Sequence, residues 1–230
     1  MSAPARRRRA PRGHGDALRE EILDAATELL LDTGDAKAVA IRAVAQRVGV
    51  TPPSIYLHFA DKDALLDAVC ARYFEKLDEQ MQAVARTAGP ASVDVLRAQG
   101  LAYVRFALET PELYRIATMG AGHPGSDVDI VLTSSAFAHM RTAVAALIDE
   151  GTYPPGDVTG YALELWCAAH GVAALLISRP YLPWGNVEQF ADRVLRSVCC
   201  GQVLSGAIGA DDAPHDTVAW LREVVDERRR

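Results

Sequence analysis

Potentially interacting side chains are densest in the stretch VGVTPPSIYLHFADKDALL, residues 48 to 66. It carries two hydroxyls (Thr51, Ser54), a phenol (Tyr56), an imidazole (His58) and an ammonium (Lys62). Closely spaced donors and cations of this kind suit phosphate oxygens and base edges. Patterns for other chemistry are weaker. HExxH, a GxSxG elbow and the P-loop pattern are all missing from the sequence. GAGHPG, Gly120 to Gly125, spells GxGxxG, but a helical segment precedes it and Pro124 interrupts it. A dinucleotide loop needs a strand before it and a helix after it, so this reads as a loop. Cys167 and His170 stand three apart with no third ligand near them in sequence, so no metal site, cofactor or catalytic residue is expected.

The elements that must hold those donors can be read from periodicity. Leu18, Ile22, Ala25, Ala26, Leu29 and Leu30 form the apolar stripe of a helix that stops near Gly34. A short helix with Ile41, Val44, Ala45 and Val48 on one face ends at Gly49. Proline is favoured at the first position of a helix, where its missing N–H costs nothing. Pro52 and Pro53 therefore open a third helix of about two turns, PSIYLHF, with Thr51 as its N-cap. Two short helices joined at Gly49 make a helix-turn-helix, in which Ile55 and Phe59 are core. Asp61 is the N-cap of a long fourth helix with Leu65, Leu66, Val69, Tyr73, Leu77 and Val84 on its apolar face.

The segment IRAVAQRVGVTPPSIYLHFADKDALL resembles the DNA-binding region of the TetR family of bacterial transcriptional regulators. The agreement runs through Arg42, Ala45, Gly49, Val50, Tyr56, His58, Phe59, Lys62 and Leu65. The resemblance implies an all-α homodimer, with an N-terminal three-helix DNA-binding domain and a larger helical domain that binds a ligand and dimerises. Val39 and Ala40 stand where Thr or Ser is common in the family, which removes one cap or phosphate contact. The DNA-facing residues are expected to be Arg42, Thr51, Pro52, Pro53, Ser54, Tyr56, His58 and Lys62. The prolines would meet thymine methyls, while Tyr56, His58 and Lys62 would position the backbone. Arg47 could serve either a DNA contact or the fold.

Charge supports a polyanionic partner. The chain sums to −6, yet residues 1 to 15 hold Arg6, Arg7, Arg8, Arg9 and Arg12 and no acid. A disordered basic arm on an acidic body is expected, with Arg6 to Arg9 following the DNA beside the recognised site. The domain reading is arm 1–15, DNA-binding unit 16–60 and helical body 61–230. The later helices are expected near 91–109, 110–119, 127–149, 157–178, 187–208 and 215–228.

Alanine is abundant, aromatics make up only 7% and no strand pattern is convincing, so the fold is all-α. No uncharged apolar run reaches eighteen residues, no apolar signal segment follows the arginines, and the four cysteines lack disulfide spacing. A reduced, cytoplasmic protein without a membrane span is expected. Trp166-x3-His170-Gly171 resembles the C-terminal domain of one TetR subgroup. Tyr103, Phe106, Met119, Phe137, Met140, Trp166 and His170 are the candidate lining of a pocket for an apolar or aromatic effector. His170 reads first as a core histidine bonded to a backbone carbonyl and second as a group reaching into the pocket. Helices 157–178 and 187–208, the second rich in small residues, are the expected dimer interface. The function expected is a sequence-specific repressor on a palindromic double-stranded operator, released by a small molecule. The rivals are a helical adaptor or enzyme whose N-terminal unit binds protein, and a family regulator with no effector.

Overall fold

A computed structural model describes residues 15–89, 91–119, 129–130, 136–205, 208 and 213–230. Among these residues it contains ten α-helices, one short 3-10 helix and no strand. The helices are α1 (Gly15–Thr33), α2 (Ile41–Val48), α3 (Pro52–Tyr56), α4 (Lys62–Thr87), α5 (Ser92–Glu109), α6 (Pro111–Met119), α7 (Ala136–Asp149), α8 (Val158–Ser178), α9 (Val187–Ser205) and α10 (Pro214–Arg228). Each helix matches a helical segment read from the sequence, while the unanticipated 3-10 turn Ala36–Ala38 is capped by Asp35, which accepts from Lys37 N–H at 2.8 Å.

The N-terminal helices form because their apolar stripes share one core. Ile22, Ala26 and Leu30 of α1 meet Val44 and Ala45 of α2, Ile55 of α3 and Leu65 and Val69 of α4. Gly49 ends α2 at φ 77°, a left-handed backbone that a Cβ would strain, and its N–H bonds to Ala45 O at 3.0 Å. The third helix is shorter than expected. It stops at Tyr56 because both His58 N–H and Phe59 N–H turn back onto Ile55 O, at 2.9 and 3.0 Å. That tightened turn buries Phe59 and leaves His58 beyond the helix. Thr51 flanks α3 in extended conformation, but its hydroxyl lies 3.1 Å from the Ser54 hydroxyl and makes no bond to a backbone N–H. Asp61 does cap α4, accepting from Ala64 N–H at 2.8 Å.

The body is a bundle in which α5 is central, packed against α4, α7, α8 and α9. A second core cluster, with Leu96, Val144, Leu147, Tyr153, Ala162 and Cys199, lies at the end distant from the N-terminal unit. Helix α8 is long and apolar enough to match a bilayer by length and composition. It nevertheless carries Glu164 and packs against α5, α7 and α9. One of its sides stays outside the core, exposing Leu163, Cys167 and Leu175, so its uniform apolar character does not mean burial all round. Helix α10 buries none of its residues.

Candidate nucleic-acid interface and effector cavity

The helix-turn-helix presents its polar residues outward from the core that roots it. Ile55 is fully buried and Phe59 nearly so, which fixes α3 against α1 and α4. From that base Arg42, Thr51, Pro53 and Tyr56 are exposed, and Pro52, Ser54, His58 and Lys62 are half-buried. All eight expected DNA-facing residues thus fall on or beside α2, α3 and the start of α4. Ala40 precedes α2 in extended conformation with no side-chain cap, and Val39 is buried. The departure at these two positions therefore costs α2 a cap and adds to the core instead. Arg47 belongs to the fold: its guanidinium bridges Glu28 and Asp32 of α1, each at 3.0 Å. Sequence reasoning passed over Leu57, which is 83% exposed beside Tyr56. An apolar side chain so exposed next to donors is suited to contact with a thymine methyl or a sugar. The arginines at positions 6 to 9 lie outside the described residues.

Helix α4 links this surface to the interior of the body. About three turns into it, Arg72 holds α1, through Asp24 at 2.9 Å, Glu20 at 3.3 Å and the Thr27 hydroxyl at 3.0 Å. Farther along, Leu77 and Met81 face inward. From Lys62 to Met81 is about 28 Å at 1.5 Å per residue. A rearrangement around Met81 can therefore reach the DNA-facing end through one continuous helix.

Two small voids sit beside Met81. One is bounded by Leu96, Gln99 and Tyr103 of α5, Met140 of α7 and Leu165 of α8, with space of about 20 Å³. The other, about 10 Å³, is bounded by Leu77, Tyr103, Phe137, Met140 and Trp166. Met81, Tyr103 and Met140 border both voids. Space of this size holds about one water, so in this conformation the bundle is closed around its candidate site. Of the residues named from the sequence, Tyr103, Phe137, Met140 and Trp166 border these voids.

Phe106 departs from that expectation. It lies against Tyr73 with ring centroids 4.8 Å apart, in the core shared with α4. His170 lies behind the wall: its Nδ1 is 2.8 Å from the Tyr114 hydroxyl and 3.3 Å from that of Tyr103. Phenols rather than a backbone carbonyl satisfy the ring. Burial lowers its pKa, which keeps the imidazole neutral. The Met119 side chain and the GAGHPG segment lie outside the described residues. Met81, Leu96, Gln99 and Leu165 were missed. Of these, Gln99 left a legible signal, as a polar residue one turn from Tyr103 on an otherwise apolar face.

The comparisons agree with this architecture. Residues 22–69 match the family model for bacterial regulatory proteins of the tetR family, and residues 96–198 match that for the tetracyclin repressor-like C-terminal domain. The class D tetracycline repressor of Escherichia coli is 28% identical over 178 residues, covering 77% of this chain and 78% of that one. YobS of Bacillus subtilis (strain 168), an uncharacterised HTH-type transcriptional regulator, is 32% identical over 135 residues, or 54% of this chain and 69% of that one. Among solved structures, a protein of unknown function from Rhodococcus sp. RHA1 superposes with a TM-score of 0.73 at 25% identity, covering 85% of this chain and 100% of that one. RolR in complex with the ligand resorcinol gives 0.62 at 18% identity, over 82% of this chain and 92% of its own. The chain belongs to the TetR family, and it is a DNA-binding, ligand-responsive transcriptional regulator rather than an enzyme.

Proposed function

We propose that the protein is a cytoplasmic repressor that binds a palindromic operator as a homodimer and leaves it when a small apolar or aromatic molecule enters the body. The DNA-reading part of this proposal is carried by one observation. Tyr56 is 54% exposed on a five-residue helix whose Ile55 is fully buried, so a rigidly rooted element offers its phenol outward. In this reading the domain boundary falls near residue 60, where the chain passes into α4. Thr51, Pro52, Pro53 and Ser54 read bases, while Arg42, Tyr56, His58 and Lys62 hold phosphates. Arg6 to Arg9 add non-specific affinity, each phosphate neutralised contributing about 0.9 to the salt slope.

The exposed side of the bundle supports pairing through α8 and α9. Leu163, Leu175 and Val203 are each more than 40% exposed. A Cβ at Gly171 or Gly201 would meet no atom within 4 Å, so the small residues there leave room for a close helix crossing. Two recognition helices related by a two-fold axis would then lie about 34 Å apart, or a multiple of that. The effector reading rests on the apolar lining of the two voids. RolR, a neighbour in fold, is complexed with resorcinol, a compact aromatic. Filling the voids would shift α4 and change the spacing of the recognition helices, by population of states rather than by a direct contact.

The test is DNA binding at several salt concentrations, with the fragment upstream of the protein's own gene and an unrelated fragment as control. Specific, salt-dependent binding by the parent and its loss in Tyr56→Ala are expected. Equal binding to both fragments, unchanged by Tyr56→Ala, would show that the arginine arm alone supplies the affinity.

A further inference from the structure

The larger void has one polar atom with no partner. Gln99 is 5% exposed, and its Oε1 is fully buried without a hydrogen bond. A buried amide oxygen left in that state is costly, and natural cores rarely keep one without a reason. Of the other polar side chains bordering the void, Arg97 and Tyr103 are engaged. Arg97 is tied to Asp192 at 2.5 Å, and Asp192 also takes Arg196 at 2.5 Å. Tyr103 faces His170, and Cys199 is a buried thiol. The rest of the lining is aliphatic or thioether, including Met81, Leu96, Met140 and Leu165.

We infer that the effector is a compact, uncharged, largely apolar molecule with one hydrogen-bond donor, which it gives to Oε1 of Gln99. This rests on the ligand-responsive reading of the same cavity. Three features set the chemistry. The unpaired group is an acceptor, so the ligand must donate. The one cationic side chain at the void is committed to Asp192, so a carboxylate gains no counter-ion there. The size limit comes from the voids themselves, which open into one another only if Met81, Met140 or Tyr103 moves. Methionine is unbranched and changes rotamer readily, so a single ring fits this motion better than a long chain. A phenolic hydroxyl on one ring satisfies all three.

Phenol and toluene, nearly equal in shape, are suitable probes because they differ in the donor alone. Calorimetry would measure both on the parent and on Gln99→Met, which keeps side-chain length and removes the acceptor. The expected result is that the phenol-to-toluene affinity ratio falls about tenfold in Gln99→Met, the size of one net hydrogen bond. Thermal melting shows whether the variant is folded. It should melt no lower than the parent, because the orphaned oxygen is gone, and Gln99→Leu replaces it if it does not fold. Toluene and phenol binding with an unchanged ratio would overturn the role of Gln99 and leave the cavity reading standing. No binding of either probe to the folded parent would overturn the cavity reading and this inference with it.

Discussion

The DNA-facing head and the effector-facing body solve opposite problems with the same helices. In the head, the functional side chains point outward from a core that is local in sequence. Ile55 and Phe59 are buried while Tyr56 and Leu57 between them are exposed. In the body, the functional side chains point inward and come from five helices, with Gln99 and Leu195 nearly a hundred residues apart. The head is thus a rigid reader that needs no change of shape. The closed body has to open before it can bind anything larger than a water. Helix α4 belongs to both, with Arg72 braced on α1 and Met81 in the wall of the cavity.

The strongest way to break this comparison is to remove the pairing that lets two heads act together. Leu163→Glu combined with Leu175→Glu should yield a monomer by sedimentation. DNA affinity should fall by roughly 10²–10⁴-fold, the usual gain from linking two sites. A dimer that survives both changes would move the interface elsewhere.

Next in size, Ile55→Ala should destabilise the protein by about 2–5 kcal/mol in denaturant unfolding, because it empties a fully buried site. DNA binding should be lost with it. Its neighbour sharpens the contrast: Tyr56→Ala should leave stability within about 0.5 kcal/mol yet cost about 1–3 kcal/mol of DNA binding per half-site. If both variants weaken folding alike, Tyr56 is part of the core and the outward-facing head is wrong.

The expected effect in the body is smaller. Tyr114→Phe removes the hydroxyl 2.8 Å from His170 Nδ1 and should cost about 1–3 kcal/mol of stability, with DNA contacts untouched. Smallest is the pH effect. Burial depresses the His170 pKa below 6.5, so as pH falls the unfolded chain takes up the proton first. Stability present above about pH 6.5 is lost on the way down through the folded value. The melting temperature should drop between about pH 7.5 and about pH 5.5, and it should drop less in His170→Gln. Equal drops would mean that the ring contributes nothing to the acid sensitivity.

The same contrast explains what could be read from sequence. Gly49, Pro52, Pro53 and Asp61 are local signals, each tied to a backbone conformation or a cap. They located α2, α3 and α4 to within a few residues. The end of α3 was misjudged because Phe59 leaves the helix to reach a core built by α1 and α4, which is a tertiary effect. In the body, Phe106 and Tyr103 are both buried aromatics three apart on α5, and periodicity gives them equal claim to a cavity. Neighbouring helices decide between them: Tyr73 takes up Phe106, while Met81 and Met140 leave space beside Tyr103. His170 was legible as a hydrogen-bonded histidine, but its phenolic partners come from α5 and α6 and leave no trace near residue 170.

Coupling between the cavity and the DNA surface is the central claim, and reciprocity tests it most directly. Calorimetry would compare phenol binding to the free protein and to the protein saturated with its operator fragment. Phenol should bind the DNA complex more weakly, by the same factor by which saturating phenol weakens DNA binding. Equal phenol affinity in the two states, or no binding in either, would contradict the account.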